Sequence, residues 1–497
     1  MTRSRDAVDK PLGIDVPDAD WQKTPESVQI VVLSLLKSQA YLLQRIEKLE
    51  RQVAALSTGN RRRGGGSPRA ADKGSGTGQA PAGRKKKKNR SGRAPGAQPG
   101  HEGHGRLMLP TDQVDEVIPV TPTDCCHCGH ALTGYDLHPQ RHQVIEIPPV
   151  RPQVTEYQLH TLCCGHCAKL TQAGLPDGVP HTPFGPSVHA WGSLLSGVYR
   201  ISKRNVVKLM GDAFGLKMSP GAVSQMERRV ADALADPMTE ALDYVQQQSI
   251  VHLDETSWWE RFEKAWLWTA VTDRVTVFVI RWRRGREVAH ELLGKGGTAI
   301  VGSDRYTAYD YLPVGQRQIC WAHLARTFEQ FAERRGEAKQ IGMQLLELTE
   351  QLFVWWQRVR DGTLERSSFR TYVSDLRGQV CYQLNCGLLF ADRKTATTCA
   401  NLRDIEPALW TFTRVEGVEP TNNAAEQALR HGVLWRKVSF GTRSTEGSRF
   451  VERILTVQET LRKQQRDVLA YLTQACKAAL HHRPAPSLLP HSASLQE

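Results

Sequence analysis

Two short apolar runs in this chain each lead into an aspartate, and that matched pair constrains the fold more than any other feature. The first is Ile250-Val-His-Leu-Asp254. The second is Thr298-Ala-Ile-Val-Gly302, followed by Ser303 and Asp304. Short β-branched runs bounded by polar residues have strand character. A carboxylate at the end of a buried strand is held rigidly and still reaches solvent, the placement a metal-dependent site requires. A lone aspartate there would serve as well to start a turn or cap the next element. Two acids presented alike, 304 − 254 = 50 residues apart, give the paired role its weight.

The surrounding pattern fills in a sheet. Ala265–Val271 and Val275–Trp282 are β-branched and aromatic, and Thr272-Asp-Arg274 between them reads as a hairpin turn. Arg286–Leu293 has the periodicity of a crossover helix, and Gln316–Cys320 is a fifth strand leading into a helix at Trp321–Arg334. Three antiparallel strands, a helix, then short strands alternating with helices is the plan of an RNase H-like fold. In that plan the first and fourth strands are neighbours, so Asp254 and Asp304 are expected close together. Helical periodicity then takes over through Gly336–Asp361 and Leu364–Leu388 and on to about Phe412, as an insertion in the core would.

A third acid, Glu426, follows in Glu419-Pro-Thr-Asn-Asn-Ala-Ala-Glu-Gln-Ala-Leu-Arg430, which opens another helix. With Asn423 as N-cap, Glu426 also fits a capping box, or an i,i+4 pair with Arg430. Two strand-end acids and a helix-borne glutamate are the set needed to hold two divalent ions about 3.5–4 Å apart. Mg²⁺, or Mn²⁺ in its place, suits an all-carboxylate site that keeps water ligands.

At 497 residues the chain calls for two to four domains. Its net charge of +13 is concentrated: between Arg61 and Arg93 lie twelve Lys/Arg and one acid, Asp72, so 12 − 1 = 11 charges fall in one segment. Residues 59–106 are too rich in Gly, Pro and Lys to bury a core, and Lys85, Lys86, Lys87 and Lys88 form a run suited to phosphates. Upstream, 24–58 carries heptads with Val32, Gln39, Ile46 and Val53 at one seam position and Leu35, Leu42, Leu49 and Leu56 at the other, which points to a self-associating coiled coil. A single amphipathic helix docked on its own protein is the alternative. The first residues lack the apolar stretch of a secretory signal, and runs such as Ile30–Leu36 are too short to span a membrane. The expectation is a soluble, cytoplasmic, nucleoid-associated protein without membrane contact.

Residues 107–175 contain Cys125-Cys-His-Cys128 and Cys163-Cys-Gly-His-Cys167, flanking what reads as a strand-rich loop. The pairs Cys125/Cys128 and Cys164/Cys167 are separated by 164 − 128 − 1 = 35 residues and suit structural Zn²⁺. The adjacent Cys126, Cys163, His127 and His166 leave the ligand choice open. Residues 185–240 read as helices broken at Gly215 and Ser219-Pro-Gly221, a helix-turn-helix-like arrangement whose second helix would carry Arg228 and Arg229 toward DNA. The rest divides into a first core part at 248–334, a helical insertion at 335–415, C-terminal core helices at 416–482 and a tail at 483–497. The fold class expected is multidomain, α+β with α/β character.

His252-Leu-Asp-Glu-Thr256, Gly302-Ser-Asp-Arg-Tyr-Thr-Ala-Tyr309, Cys320-Trp-Ala-His323, Pro420-Thr-Asn-Asn-Ala-Ala-Glu426 and Arg436-Lys-Val-Ser-Phe-Gly-Thr442 together resemble the transposases of the insertion sequence 66 family. The order of coiled coil, Pro99-Gly-His-Glu-Gly-His104 and paired cysteines is similar too. The resemblance implies a DDE-type DNA transposase with an RNase H-like core and Asp254, Asp304 and Glu426 as catalytic metal ligands. It also implies terminal inverted repeats and target DNA as substrates, and small accessory proteins from the same element. Where that family has Cys-Pro-x-Cys, this chain has Cys125-Cys-His-Cys128. Asn422, Asn423, Arg436 and Lys437 could position phosphates, or serve only as caps and solvated charges. Trp258 and Trp259 could stack on a base but read first as strand packing, and His323 reads as a packed histidine. A nuclease or resolvase without strand transfer, and a non-catalytic zinc-containing DNA-binding protein, are the competing readings.

Overall fold

The computed structural model describes residues 108–490 apart from 135 and 295, together with 17, 19 and 23. The heptad segment from 24 to 58, the basic segment 59–106 with Lys85–Lys88, and the last seven residues lie outside the described residues. The chain divides into two compact units, Met1–Gln140 and Arg141–Glu497.

In the first unit the described residues contain a 3-10 turn at Thr111–Gln113 and a tight turn at Cys125–Gly129, clasped by a bridge between Asp124 and Ala131. The second unit opens with irregular backbone. The strand-rich stretch expected between the cysteine pairs is absent: residues 141–160 hold no strand, and Pro148, Pro149 and Pro152 have no N–H to donate to a ladder. The short hairpin of β1 (Thr161–Cys163) and β2 (Leu170–Gln172) then closes around Cys164–Ala168.

Four helices come next: α1 (Pro186–Ser193), α2 (Lys203–Phe214), α3 (Pro220–Ala233) and α4 (Ala235–Gln246). Their ends obey the local chemistry. Ser202 and Ser219 cap α2 and α3 by accepting from the N–H groups of Asn205 and Ala222, Pro220 stands at the first helical position, and Gly215 closes α2 at φ 67°. Val206, Met210 and Val223 meet in a small core with Leu195. One side of α3 is buried through Met226, Val230 and Ala231, and Arg228 and Arg229 lie on its exposed side.

The sheet is built from β3 (Ile250–Glu260), β4 (Glu263–Val271) and β5 (Thr276–Arg281), then α5 (Arg286–Leu293), β6 (Ile300–Ser303) and β7 (Arg317–Ile319). Its order is β5-β4-β3-β6-β7, antiparallel through the first three and parallel across β3-β6-β7. The first and fourth strands in sequence are therefore neighbours, as expected. One expectation is corrected: β3 does not stop at Asp254. It runs on to Glu260 because β4 supplies a partner from His252 to Glu260, whereas β6 pairs only with residues 250–252. Asp254 thus lies in mid-strand, just past the last parallel pair.

Alternation along β3 sends successive side chains to opposite faces. Val251 and Leu253 pack with Trp268, Val277 and Val279 against Val288 and Leu292 of α5. Trp258, with Leu267, Phe278 and Ile280, packs on the other face against two later helices. Between come α6 (Trp321–Ala332), the long pair α7 (Glu337–Arg360) and α8 (Arg366–Phe390), α9 (Arg393–Asp404) and the short α10 (Glu406–Leu409) and α11 (Thr411–Arg414), with their own core around Trp321, Phe328, Phe369, Trp410 and Phe412. This helical group is tied to β7, where the Thr411 hydroxyl donates to the Arg317 carbonyl and the Gln318 side chain accepts from the Phe412 N–H.

The chain ends in α12 (Asn423–Ser439), α13 (Thr445–Lys463) and α14 (Val468–Leu480). Helix α12 crosses the sheet closely: a β-carbon on Gly432 would lie 2.1 Å from Leu267. Helix α13 covers the open edge of β5. The N–H groups of Thr276, Phe278 and Ile280 donate to Thr460 (3.1 Å), Thr456 (3.0 Å) and Glu452 (2.6 Å). Two residues of strand and four of helix advance about 6–7 Å each, so the two ladders match.

Candidate active site

The register of β3 on β6 pairs Ile250 with Ile300, Val251 with Val301 and His252 with Gly302, a constant offset of 50. Asp254 and Asp304 differ by the same 50, with Asp254 two residues past the last parallel pair on β3 and Asp304 immediately after the end of β6. Each carboxylate is fixed locally. Asp254 accepts from the Glu255 N–H at 2.9 Å and Asp304 from the Tyr306 N–H at 2.8 Å.

By alternation Asp254 shares a face with His252 and Trp258, the face crossed by α12. Glu255 points the other way, into a buried cluster where it takes hydrogen bonds from Arg284 (2.8 Å) and the Tyr309 hydroxyl (2.5 Å). Arg284 in turn stacks 3.6 Å over Tyr306. Burial pushes the Asp254 carboxyl from its ordinary 3.8 up to about 8, with Glu255, Asp304 and Glu426 adding to the rise. The charged groups that act most strongly on Asp254 are acids. A buried acid among acids is the electrostatic setting that a multivalent cation relieves.

Glu426 sits in the first turn of α12, and its surroundings overturn the capping-box alternative. The N-cap is Asn422, not Asn423, and it makes no side-chain cap bond. The Asn422 side chain is used elsewhere: it donates to the Leu253 carbonyl at 2.7 Å, and its oxygen lies 3.0 Å from His252 Nδ1. Buried at 1% exposure, Asn422 is a strut between α12 and the strand bearing Asp254. Glu426 instead faces α6, with Oε1 3.4 Å from His323 Nδ1 and Oε2 3.6 Å from Arg326.

Of the other residues singled out in the sequence, Asn423 and Lys437 are exposed on α12. Arg436 docks on β3 through Thr256 and Ser257. Trp258 is fully buried with its indole N–H on Thr442, but Trp259 is 45% exposed. Trp259 stands at the β3–β4 tip near exposed Phe262, over which Arg443 stacks at 4.1 Å. Gly441 (φ 97°) makes that tip possible, since a β-carbon there would lie 2.1 Å from the Trp259 carbonyl oxygen. Sequence reasoning passed over Glu255, Arg284, Tyr309 and Cys320 as site neighbours. The signals were the second acid beside Asp254 and the Cys-x-x-His spacing at a strand-to-helix junction.

The cysteine pairs form two like turns, each described by itself. In one, Cys125 N–H donates to His130 and Gly129 N–H to Cys125; in the other, Cys164 N–H donates to Lys169 and Ala168 N–H to Cys164, all at 2.9 Å. Hydrogen bonds from nearby backbone hold the Cys125 and Cys164 thiols below their usual range, His127 foremost in the first turn and Cys167 in the second.

A family model described as "Transposase IS66 family" matches residues 190–449, just over half of the chain. The chain belongs to the IS66 transposase family. The match takes in both aspartate strands and Glu426, and leaves out the cysteine turns, most of α13 and all of α14. Membership in the IS66 family carries a transposase role, hence DNA processing and divalent-metal use. No curated protein matches the chain. Among the described residues no helix is long and apolar enough to cross a membrane.

Proposed function

We propose that this transposase is of the DDE type, with an RNase H-like core in which Asp254, Asp304 and Glu426 hold the catalytic divalent cations, Mg²⁺ or Mn²⁺. The observation that carries the reading is the β3–β6 register. Its constant offset of 50, carried two residues past the last pair, would bring Asp304, just beyond the end of β6, level with Asp254. Asp254 shares its face with Trp258, which packs under the helix that bears Glu426. The strand order, with three antiparallel strands and two parallel ones, supports the core assignment.

When bound, such ions supply Lewis-acid stabilisation to both the attacking and leaving oxygens of an in-line phosphoryl displacement. The chain's own residues prepare the site. Asp254 holds a proton that it would have to release to serve as a metal ligand, Asn422 fixes the start of α12 against β3, and Arg326 and His323 orient the Glu426 carboxylate. Exposed Asn423 and Lys437, with Arg228 and Arg229 on α3, are the described groups proposed to contact DNA phosphates. The substrates proposed are the element's terminal inverted repeats and a target duplex, with accessory proteins of the same element as further partners.

Asp254→Asn, Asp304→Asn and Glu426→Gln should each lower Mg²⁺-dependent cleavage of end DNA by at least about a hundredfold, the scale on which charge stabilisation acts. Retained turnover in Glu426→Gln would place the third ligand elsewhere. Joined products in a gel assay with target DNA separate a transposase from a nuclease that stops at hydrolysis.

We also propose that the cysteine turns bind structural Zn²⁺ through Cys125 and Cys128 and through Cys164 and Cys167. Each turn presents backbone donors that favour thiolates, and the two are alike in their hydrogen bonds. Reductively purified protein should carry zinc, and Cys128→Ser or Cys167→Ser should reduce the content measured by atomic emission. Unchanged content in both would reject the assignment.

A further inference from the structure

We propose that Cys320, His323 and Glu426 form a second binding site, sharing Glu426 with the proposed catalytic set, for a borderline-soft divalent cation of the zinc class. Cys320 caps α6 at the end of β7 and His323 is the third residue of that helix, so the i,i+3 spacing sets both on one side. Glu426 meets them from the first turn of α12. The sulfur, imidazole nitrogen and carboxylate oxygen all lie within 4.8 Å of one another. The two helix starts are locked together, because the Trp321 N–H donates to the Pro420 carbonyl at 2.9 Å and the Asn422 N–H donates to Cys320 Sγ at 3.2 Å.

Two further observations point to a missing ligand. His323 Nδ1 and Glu426 Oε1 are both buried and face each other at 3.4 Å, yet neither has a hydrogen-bond partner. Buried polar atoms without partners are exceptional and usually mark an unplaced ion or water. The donor set also discriminates between ions. Sulfur with imidazole nitrogen and a carboxylate suits Zn²⁺. Mg²⁺ prefers oxygen ligands and would not select a thiolate. Cys320, 1% exposed, supplies the soft donor. One thiolate, one neutral imidazole and one carboxylate carry the net charge that a divalent cation balances.

The thiolate and imidazole of this site distinguish it from the all-carboxylate set with which it shares Glu426, and it needs no catalysis to be read. The full-length protein, reduced and stripped of metal, is titrated with Co²⁺, a probe whose thiolate ligation gives charge-transfer absorption. Wild type should bind one equivalent more than Cys320→Ser or His323→Ala, and the lost equivalent should take thiolate charge-transfer intensity with it in Cys320→Ser. The cysteine turns are intact in both variants, so their contribution cancels in the difference. Equal stoichiometry in wild type and His323→Ala overturns the proposal. Since His323 is part-exposed, that variant decides the matter even where Cys320→Ser fails to fold. Asp254→Asn should leave the extra equivalent in place, so failure of the catalytic assignment and failure of this one give different results.

Discussion

Asp254 keeps a proton in the folded, metal-free protein that the unfolded chain would release. Its carboxyl is raised from 3.8 to about 8, by burial first and then by Glu255. Between those values the folded state binds more protons than the unfolded one, so stability falls as pH rises through that window and levels off above about 8. The contribution is whole below the ordinary carboxylate value and gone above the raised one. Asp254→Asn removes a charge that burial penalises. Above about pH 8 the metal-free variant should therefore melt higher than wild type, by calorimetry, while losing activity. Added Mg²⁺ should stabilise wild type increasingly as pH approaches 8 and should do little for the variant. A wild type whose melting is flat across this window would mean that neither burial nor the neighbouring acids raise the Asp254 carboxyl.

Among the elements, α13 makes the most specific contribution to the sheet. Thr456 is fully buried and its hydroxyl satisfies the N–H of Phe278. Thr456→Val keeps the shape and orphans that donor, which costs about 1–3 kcal/mol. Denaturant unfolding should show the loss with an unchanged slope. This ladder was not legible in the sequence, because a threonine in a helix has no period that announces a strand partner. By contrast, Arg286–Leu293 was legible to the residue, and strand existence followed from β-branched runs. The end of β3 was not, since it depends on how far β4 extends alongside. At the site, the neighbouring of the two aspartate strands was legible from the strand plan, but their offset of 50 in register was not. The turning of Glu426 toward His323 was hidden, because it depends on which residue caps α12.

For the whole molecule, charge and chemistry lie far apart along the chain. Eleven net positive charges fall between Arg61 and Arg93, while the acids begin at Asp254. Removing residues 1–105 should flatten the salt dependence of DNA binding by several phosphate equivalents, each worth a slope of about 0.9 on duplex DNA. It should also reduce the oligomer seen by light scattering, since the heptads go with it. If slope and oligomer both survive the truncation, the DNA contacts have to come from exposed groups such as Arg228, Arg229 and Lys437.

The pairing of β5 with α13 also fixes an order in time. The edge donor Ile280 and its acceptor Glu452 are 452 − 280 = 172 residues apart, which at roughly 5–20 residues per second is about ten to thirty seconds of synthesis. Throughout that interval the nascent sheet has a bare edge, open to pairing with any passing strand. Glu426 is made only 452 − 426 = 26 residues before Glu452. The last of the three proposed ligands and the cover of the sheet therefore arrive almost together, so an incomplete chain is adhesive and inert, and the finished one loses both properties at nearly the same moment.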